Sequence, residues 1–322
     1  MPHYEPADAL QTPRFVGIRT FARLPYVQDL DGVDLAYVGS PFDTGVSFRA
    51  GARFGPAAIR DASILLRPYN PGLNVDVFGT LSCIDYGDLS VVPGYIEDSY
   101  ERVEAGLAPL LDAGVTPVIL GGDHSITLAH LRAVSRAHGP LGLVQFDSHS
   151  DTWDSYFGRA YNHGTTFKRA IEEGLLDPSR CIQVGLRGPL YDPGDYDVAR
   201  GLGLDLVPAT EVRRLGLDAT IGRIRERLGA GAAFLSFDID FLDPAYAPGT
   251  GTPEVGGFTT FEAQQLVRGL TGARFVAYDL VEVLPSYDHS QITALAAANI
   301  AYEFAGLTAL RHKARQATGD KG

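Results

Sequence analysis

The stretch LGLVQFDSHSDTWDS, residues 141–155, places three ionisable side chains directly after an apolar run. Asp147, His149 and Asp151 alternate along the chain, and alternate residues of an extended segment project to the same face. Unpaired charges beside a buried strand are costly, and a divalent cation removes most of that cost by binding carboxylates and neutral imidazole. The spacing therefore favours metal ligands over a solvated loop.

A second stretch, FLSFDIDFLDP, repeats this arrangement later in the chain. Asp238 and Asp240 alternate at the end of an apolar run, whereas Asp243 precedes a proline and is more typical of a turn. A third stretch, VILGGDHS, contributes His124 after two glycines that allow a tight turn. Taken alone, this third stretch would be an ordinary loop with a surface histidine. The candidate metal ligands are His124, Asp147, His149, Asp151, Asp238 and Asp240.

The number of candidate ligands indicates two ions. Four carboxylates and two imidazoles exceed the needs of one ion, and two ions about 3.5–4 Å apart fit the count if some ligands bridge. Ligation that is rich in oxygen and lacks thiolates favours Mn²⁺ over Zn²⁺. Two adjacent cations would also lower the pKa of a water molecule between them and supply hydroxide at neutral pH.

The elements that must position these residues are predicted from alternating apolar runs and helical patterns. Short, nearly continuous apolar runs are typical of strands covered on both faces of a parallel sheet. The predicted strands are Val33–Phe42, Thr116–Leu120, Leu141–Phe146, Cys181–Leu186, Ala232–Phe237 and Phe275–Leu280. The predicted helices are Pro56–Leu66, Tyr100–Ala113, Ser125–His138, Thr165–Leu176, Ala219–Leu228, Phe261–Leu270 and Ile292–Arg311.

This order of elements predicts one three-layer α/β/α domain over residues 1–322. Residues 1–30 are expected to form an N-terminal extension, and residues 312–322 a flexible tail. Ligands of open α/β sheets bind beyond the carboxyl ends of the strands. All three stretches that contain candidate metal ligands lie at such ends, which predicts that they form a single site.

The overall composition restricts the possible partners. The net charge of −12 argues against a nucleic acid or an anionic membrane and weakly favours a cationic ligand. Cys83 and Cys181 lie in apolar stretches without a CxxC partner, which is typical of core thiols in a reducing compartment. The N-terminus lacks the pattern of a secretory signal, and no membrane helix is predicted, so we expect a cytoplasmic protein.

The motifs together resemble those of the ureohydrolase (arginase/agmatinase) family. GGDHS, D-x-H-x-D, S-F-D-I-D-x-x-D-P and A-P-G-T-G-T-P occur in the family order, and the resemblance covers essentially the whole chain. The resemblance implies a three-layer fold around a mainly parallel eight-stranded sheet, two Mn²⁺ ions per subunit and hydrolysis of a guanidino group to urea and an amine. It also implies a homo-oligomer, a trimer or a hexamer.

The same resemblance assigns ligands to the two ions. One ion would be held by His124, Asp147, Asp151 and Asp238. The other would be held by Asp147, His149, Asp238 and Asp240. Asp147 and Asp238 would therefore bridge the two ions.

Four further roles follow from the resemblance. Glu282, in YDLVEVLPSYD, resembles the glutamate that binds the guanidinium through paired charge-assisted hydrogen bonds, and Thr252, in GTGTP, resembles a threonine that orients it. His163, in YNHGT, resembles a proton-shuttle histidine. Asp151 would bind the attacking hydroxide and pass its proton to the leaving nitrogen. Without the metal motifs, His163 would be a helix-capping residue and Glu282 an acid at a strand end.

The identity of the guanidino substrate depends on the loop Thr152–Asn162. This loop departs from the arginase pattern that reads the α-amino and α-carboxylate groups of arginine, so arginine is disfavoured. Its aromatic side chains are Trp153, Tyr156, Phe157 and Tyr161. The candidate contacts to the substrate tail are Trp153, Asp154 and Asn162, where Asp154 would attract a distal amine or would simply face solvent.

Two other stretches resemble the agmatinase branch, namely Gly39–Arg60 and Ser286–Thr293. Agmatine, a guanidine on an aliphatic chain that ends in an amine, is therefore the first choice, with urea and putrescine as products. Guanidinobutyrate and proclavaminate-type amidino acids are the near alternatives, because the same branch handles them. Arg159 in the same loop could meet their carboxylate, but this one residue does not decide between the substrates.

Two other classes of protein predict different sequence features. A non-catalytic relative should lack at least one ligand, but all six are present together with His163 and Glu282. A deacetylase-type amide hydrolase would use one zinc ion and a catalytic His-His pair, which this sequence does not contain. The D-x-D spacing of Asp238 and Asp240, in addition to D-x-H-x-D, favours two ions and an amidinohydrolase.

Overall fold

The computed structural model of the protein describes residues 3–318. The strands are β1 Leu35–Ser40, β2 Tyr69–Asn70, β3 Val75–Asp76, β4 Cys83–Asp88, β5 Thr116–Gly121, β6 Leu141–Phe146, β7 Leu176–Val184, β8 Asp205–Val207, β9 Ala233–Asp238 and β10 Phe275–Val281. The helices are α1 Gly55–Ser63, α2 Val77–Thr80, α3 Ile96–Asp112, α4 Thr127–His138, α5 Thr166–Glu172, α6 Asp195–Gly201, α7 Ala209–Leu215, α8 Leu217–Leu228, α9 Thr260–Arg268 and α10 Ile292–Thr318.

Eight strands form one sheet in the order β4-β1-β5-β10-β9-β6-β7-β8. All of its strand pairs are parallel, while β2 and β3 form a separate antiparallel pair. Helices α1, α2 and α7–α10 supply the apolar core on one face of the sheet, and α3–α6 supply the core on the other. The predicted three-layer α/β/α fold with an eight-stranded parallel sheet is confirmed.

The predicted strands correspond to β1, β5, β6, β7, β9 and β10, and β6 has the predicted bounds. Four of them, β1, β6, β9 and β10, are buried along their whole length, which explains their continuous apolar sequences. Two sheet strands were not predicted. β4 has the sequence CIDYGD and becomes exposed at its end, and β8 has only three residues, so neither shows a clear apolar run.

The ends of the chain extend the domain. In the N-terminal extension, the buried Phe21 ring stacks on Tyr37 of β1 with centroids 3.6 Å apart, and Tyr26 forms a parallel bridge to Asp85 of the edge strand β4. Helix α10 continues beyond its predicted end to Thr318, and the rest of the predicted tail, 319–322, lies outside the described residues. This helix is long and apolar enough to cross a membrane, but 78% of its most apolar window is buried inside the protein, as in a core helix.

Arg60 of α1 joins the helix layer to the end of β4 through a buried ion pair. Its Nε and Nη2 donate to the two carboxylate oxygens of Asp85, at 2.8 and 3.0 Å, and its Nη1 donates to Asp88 at 2.6 Å. Because Asp85 is buried, Arg60→Met is expected to lower the free energy of unfolding by about 3–5 kcal/mol.

Denaturant titration would measure this loss. Arg19→Ala is the matched control, because Arg19 and Asp61 form a pair that is about half exposed and is expected to contribute no more than about 1 kcal/mol. Equal losses for the two variants would contradict the assignment of Arg60 as a structural partner of the sheet.

Candidate metal centre

The candidate site lies at the carboxyl ends of four adjacent central strands, β5, β10, β9 and β6. His124 follows β5 in a one-turn 3-10 helix, Asp147 directly follows β6, and Asp238 is the last residue of β9. Glu282 directly follows β10. Parallel strands bring their carboxyl ends to one edge, so these four residues converge although they are far apart in sequence.

The six candidate metal ligands form two overlapping clusters. His124 Nδ1 lies 3.1 Å from Asp147 Oδ2, 3.0 Å from Asp151 Oδ2 and 3.3 Å from Asp238 Oδ2. His149 Nδ1 lies 3.0 Å from Asp240 Oδ2 and 3.6 Å from Asp147 Oδ1. Asp147 therefore belongs to both clusters and presents one oxygen to each.

The arrangement fits a cation better than a set of hydrogen bonds. His124 Nδ1 and Asp240 Oδ2 are buried and have no hydrogen-bond partner among the described residues, despite the oxygens and nitrogens around them. Buried polar atoms are normally paired, so these two require a ligand. A cation in each cluster would supply it, and carboxylate and imidazole donors are suited to a divalent metal.

The proton affinities of the cluster lead to the same conclusion. Burial disfavours the charged imidazole of His124, but the carboxylates around it outweigh burial and raise its pKa well above the ordinary value. Burial, together with the charges of Asp240 and Asp147, likewise raises the pKa of Asp238. The unmetallated cluster thus retains protons, and a bound divalent cation would displace them. Metal binding should therefore weaken as the pH falls.

The local sequence holds the carboxylates in place. Asp147 Oδ1 accepts the His149 backbone N–H at 2.6 Å, and Asp238 Oδ1 accepts that of Asp240 at 2.8 Å. This i to i+2 contact follows from the alternation in both D-x-[HD] motifs. Asp151 has a positive φ of 52°, a conformation that costs energy and is typical of functional sites.

A row of polar residues crosses the sheet one level below the ligands, and sequence reasoning missed it. Gln183, Gln145, Ser236 and Asp279 occupy matched positions on β7, β6, β9 and β10. Gln145 Nε2 donates to Asp147 Oδ2 at 2.7 Å. The available signal was one polar residue inside each otherwise apolar run, as in LGLVQF and AAFLSF.

Ser236 determines which nitrogen of His124 can bind a metal. Its hydroxyl donates to Asp279 Oδ1 at 2.6 Å and lies 2.9 Å from His124 Nε2. Since the hydroxyl proton points to Asp279, Ser236 Oγ accepts the proton of Nε2, and Nδ1 keeps its lone pair for the cluster. Asp279 is in turn held by Thr127 and His130, at 2.6 and 2.9 Å.

Ser236→Ala is expected to weaken metal retention about 10- to 100-fold, because partners of this kind orient the ligating imidazole. Metal content would be measured after dialysis against graded chelator concentrations. Ser90→Ala is the matched control, since Ser90 is exposed and bonds only to Arg102 in the described part of the chain. Unchanged retention in Ser236→Ala would show that His124 does not depend on this hydrogen bond.

The clusters open into a cavity of about 520 Å³. His149, Asp151 and Asp238 form part of its wall, and Phe48 and Tyr191 are exposed at its rim. The residues that line it are Ser47, Phe48, His149, Asp151, Trp153, Tyr156, His163, Gly164, Pro189, Leu190, Tyr191, Asp238, Thr252, Pro253 and Glu254. Of the residues predicted to contact substrate, Trp153 and Thr252 are therefore in the cavity wall.

Glu282 is buried beside this cavity. Its Oε1 accepts the His124 backbone N–H at 2.9 Å and lies 3.3 Å from His163 Nδ1. Its Oε2 is buried without a hydrogen-bond partner among the described residues, and its φ of 64° is positive. Burial opposes the charge of His163, but Glu282 outweighs burial and raises the pKa of His163. No hydrogen bond joins Thr252 to Glu282 in the part of the chain that the structure describes.

Three of the predicted substrate contacts are not among the residues that line the cavity, namely Glu282, which is described above, Asp154 and Asn162. Asp154 is 79% exposed in its side chain and pairs with Arg169 and Lys168 of α5, at 2.7 and 3.4 Å. The hydrogen bond from Arg169 lowers the pKa of Asp154. Asn162 accepts the Gly164 backbone N–H at 2.9 Å and caps the turn that presents His163. Direct substrate contact by either residue stays a prediction.

The fold and the candidate metal ligands at the ends of its strands are both consistent with one protein family. The chain belongs to the arginase family, whose model matches residues 33–306, and it is an amidinohydrolase of that family. The resemblance predicted from the motifs is thereby confirmed.

Named relatives are similar over nearly the whole chain. A guanidinopropionase of Pseudomonas aeruginosa is 46% identical and the match covers 95% of this chain and 96% of that protein. A mitochondrial agmatinase of Gallus gallus is 45% identical, with 92% and 88% covered. The solved structure of proclavaminate amidino hydrolase from Streptomyces clavuligerus has a TM-score of 0.89 at 41% identity, with 93% of this chain and 99% of that chain covered.

Proposed function

We propose that this protein hydrolyses the guanidino group of agmatine to urea and putrescine with two Mn²⁺ ions. The observation that best supports agmatine as the substrate is the chemistry of the residues that line the cavity. The described residues that line it include no Lys or Arg, whereas Phe48, Trp153, Tyr156 and Tyr191 supply aromatic surface and Glu254 supplies a negative charge. Aromatic faces and a carboxylate suit a distal ammonium group. A distal carboxylate would lose its water without gaining a cationic partner.

Two arginines near the site, Arg187 and Arg49, have other partners among the described residues. Arg187 Nη2 donates to the backbone carbonyls of Asp240 and Glu254, at 2.5 and 2.9 Å. The Arg49 guanidinium lies 4.6 Å from the centroid of the Tyr287 ring. Arg49 also lies 5.4 Å from the centroid of the Phe48 ring, so the support for a cationic tail comes from the residues that line the cavity.

The proposed mechanism uses the clusters as metal sites. One ion would be bound by His124, Asp147, Asp151 and Asp238, and the other by Asp147, His149, Asp238 and Asp240. Bound ions of this kind act as Lewis acids and lower the pKa of bound water, which provides a nucleophile at neutral pH. Oxygen-rich ligation without thiolate favours Mn²⁺.

The remaining steps belong to side chains of the protein. Glu282, with its unpaired Oε2, would accept N–H groups of the guanidinium and fix its plane. Asp151, which lies in the cavity wall, would hold a proton of the nucleophile and return it to the leaving nitrogen. His163, between the cavity and Glu282, would exchange protons with solvent.

A panel of urea-release assays with Mn²⁺ tests the proposed substrate. The panel contains agmatine, 4-guanidinobutyrate, 3-guanidinopropionate, a proclavaminate-type acid and arginine. We expect kcat/KM for agmatine to exceed each of the others by at least about tenfold, which corresponds to about 1.4 kcal/mol. A preference for arginine would contradict the interpretation of the loop Thr152–Asn162.

Hydrolysis of a guanidino acid is the second candidate. The observation in its favour is the similarity to the guanidinopropionase, which is as close in identity as the agmatinase. The same panel separates the two, because a preference for either guanidino acid would place an anionic tail against the aromatic wall and overturn the argument from charge.

A further inference from the structure

Ser47, in the loop that follows β1, contacts the Nε2 side of the His163 ring. The Ser47 backbone N–H donates to His163 Nε2 at 3.1 Å, and Ser47 Oγ lies 2.8 Å from the same nitrogen. His163 Nδ1 faces Glu282 Oε1 at 3.3 Å. Both ring nitrogens of His163 therefore have a defined partner.

These contacts select one tautomer of the neutral ring. A peptide N–H can only donate, so Nε2 must offer its lone pair to Ser47. The ring proton then lies on Nδ1, where it points to the carboxylate of Glu282. We propose that Ser47 is a positioning residue that holds His163 as its Nδ1–H tautomer against Glu282, the residue assigned above to the guanidinium.

The loop that carries Ser47 is anchored by two backbone hydrogen bonds at Gly45. The His163 backbone N–H donates to the Gly45 carbonyl at 2.9 Å, and the Gly45 N–H donates to Asp123 Oδ2 at 2.8 Å. Asp123 is fully buried. A Cβ at Gly45 would lie 2.3 Å from Ser125 Oγ, so the close approach requires glycine here. Ser47 is thus presented at a fixed position rather than at a mobile loop tip.

The hydroxyl of Ser47 has a role that its peptide group cannot fill. Ser47 and His163 both line the cavity, and the Ser47 hydroxyl contacts His163 Nε2 there. When the ring gains a second proton at Nε2, the hydroxyl rotates from donor to acceptor, whereas the peptide N–H continues to oppose that proton. Removal of the hydroxyl should therefore slow turnover more than it weakens substrate binding.

The test compares Ser47→Ala, Ser47→Thr, His163→Asn and the double variant Ser47→Ala/His163→Asn with the wild type, all loaded with Mn²⁺. Ser47→Ala is expected to lower kcat by about tenfold or more, with KM changed by less than about threefold. Ser47→Thr should restore kcat because it retains the hydroxyl. In the His163→Asn background, Ser47→Ala should have no further effect, since the two residues act as a unit.

Metal content and thermal unfolding of each variant show whether the site and the fold are intact, and Ser90→Ala is the control for loss of a serine hydroxyl. An unchanged kcat in Ser47→Ala, or an equal loss in the His163→Asn background, would overturn the proposal. The inference rests on the proposed hydrolytic function but not on agmatine. If the wild type hydrolyses another compound of the panel, the same variants are measured on that compound, so the two failures remain distinguishable.

Discussion

Asp147→Asn is expected to remove metal from both clusters and to lower urea release by at least about 10³-fold, or about 4 kcal/mol. Asp147 is the residue that the two clusters share, and each of its carboxylate oxygens faces a different histidine. The substitution removes the charge while keeping the size of the side chain. Metal bound per chain and the rate of urea release would be measured on the same preparation.

Two further variants make this result specific. Asp240→Ala should chiefly remove the ion next to His149, because Asp240 belongs to that cluster alone. Asp197→Asn should leave metal content and activity unchanged, since Asp197 is 75% exposed and pairs only with Arg200 in the described part of the chain. An Asp147→Asn variant that retained two ions per chain would show that the shared carboxylate is not a ligand.

Glu282→Gln is expected to lower kcat/KM at least about 100-fold without loss of metal. The glutamine keeps an acceptor for the His124 backbone N–H, but it replaces a carboxylate by a neutral amide. Paired charge-assisted hydrogen bonds to a guanidinium are then lost, and each is worth about 1.5–3 kcal/mol. Steady-state kinetics with agmatine and metal analysis would measure the two effects separately.

The control for this variant is Glu226→Gln, because Glu226 is exposed on α8, away from the cavity. Glu226→Gln should have the kinetics of the wild type. A Glu282→Gln variant with unchanged kcat/KM would show that the buried, unpaired Oε2 does not bind the substrate. Glu282 Oε2 would then need a partner other than the substrate guanidinium.

The parts of the site that the sequence predicts are those encoded by local spacing. Asp147, His149 and Asp151 alternate within five residues, and Asp238 and Asp240 do so within three, so their common face is visible without a structure. The carboxyl ends of parallel strands then bring such groups together. Another local signal, a nearly continuous apolar run, predicted the strands β6, β9 and β10, which are buried along their whole length.

The residues that the sequence did not reveal act across long separations. Ser47 contacts His163 across 116 positions, and Ser236 contacts His124 across 112. Ser47 lies in a loop without periodicity, and the alignment of Ser236 with Asp279 depends on the strand order. Asp154 shows the converse. Its negative charge suggested a contact with a substrate amine. The described residues that pair with it are instead Arg169 and Lys168 of α5.

The strand order also has a consequence for synthesis of the chain. Strands β5 and β6, which precede His124 and Asp147, are not neighbours, because β10 and β9 lie between them and are made more than a hundred residues after β5. A nascent chain that ends before residue 233 therefore has an open gap in the middle of its sheet. The two clusters of candidate metal ligands can form only when β9 and β10 insert into that gap. Assembly of the metal centre is therefore a late event in folding.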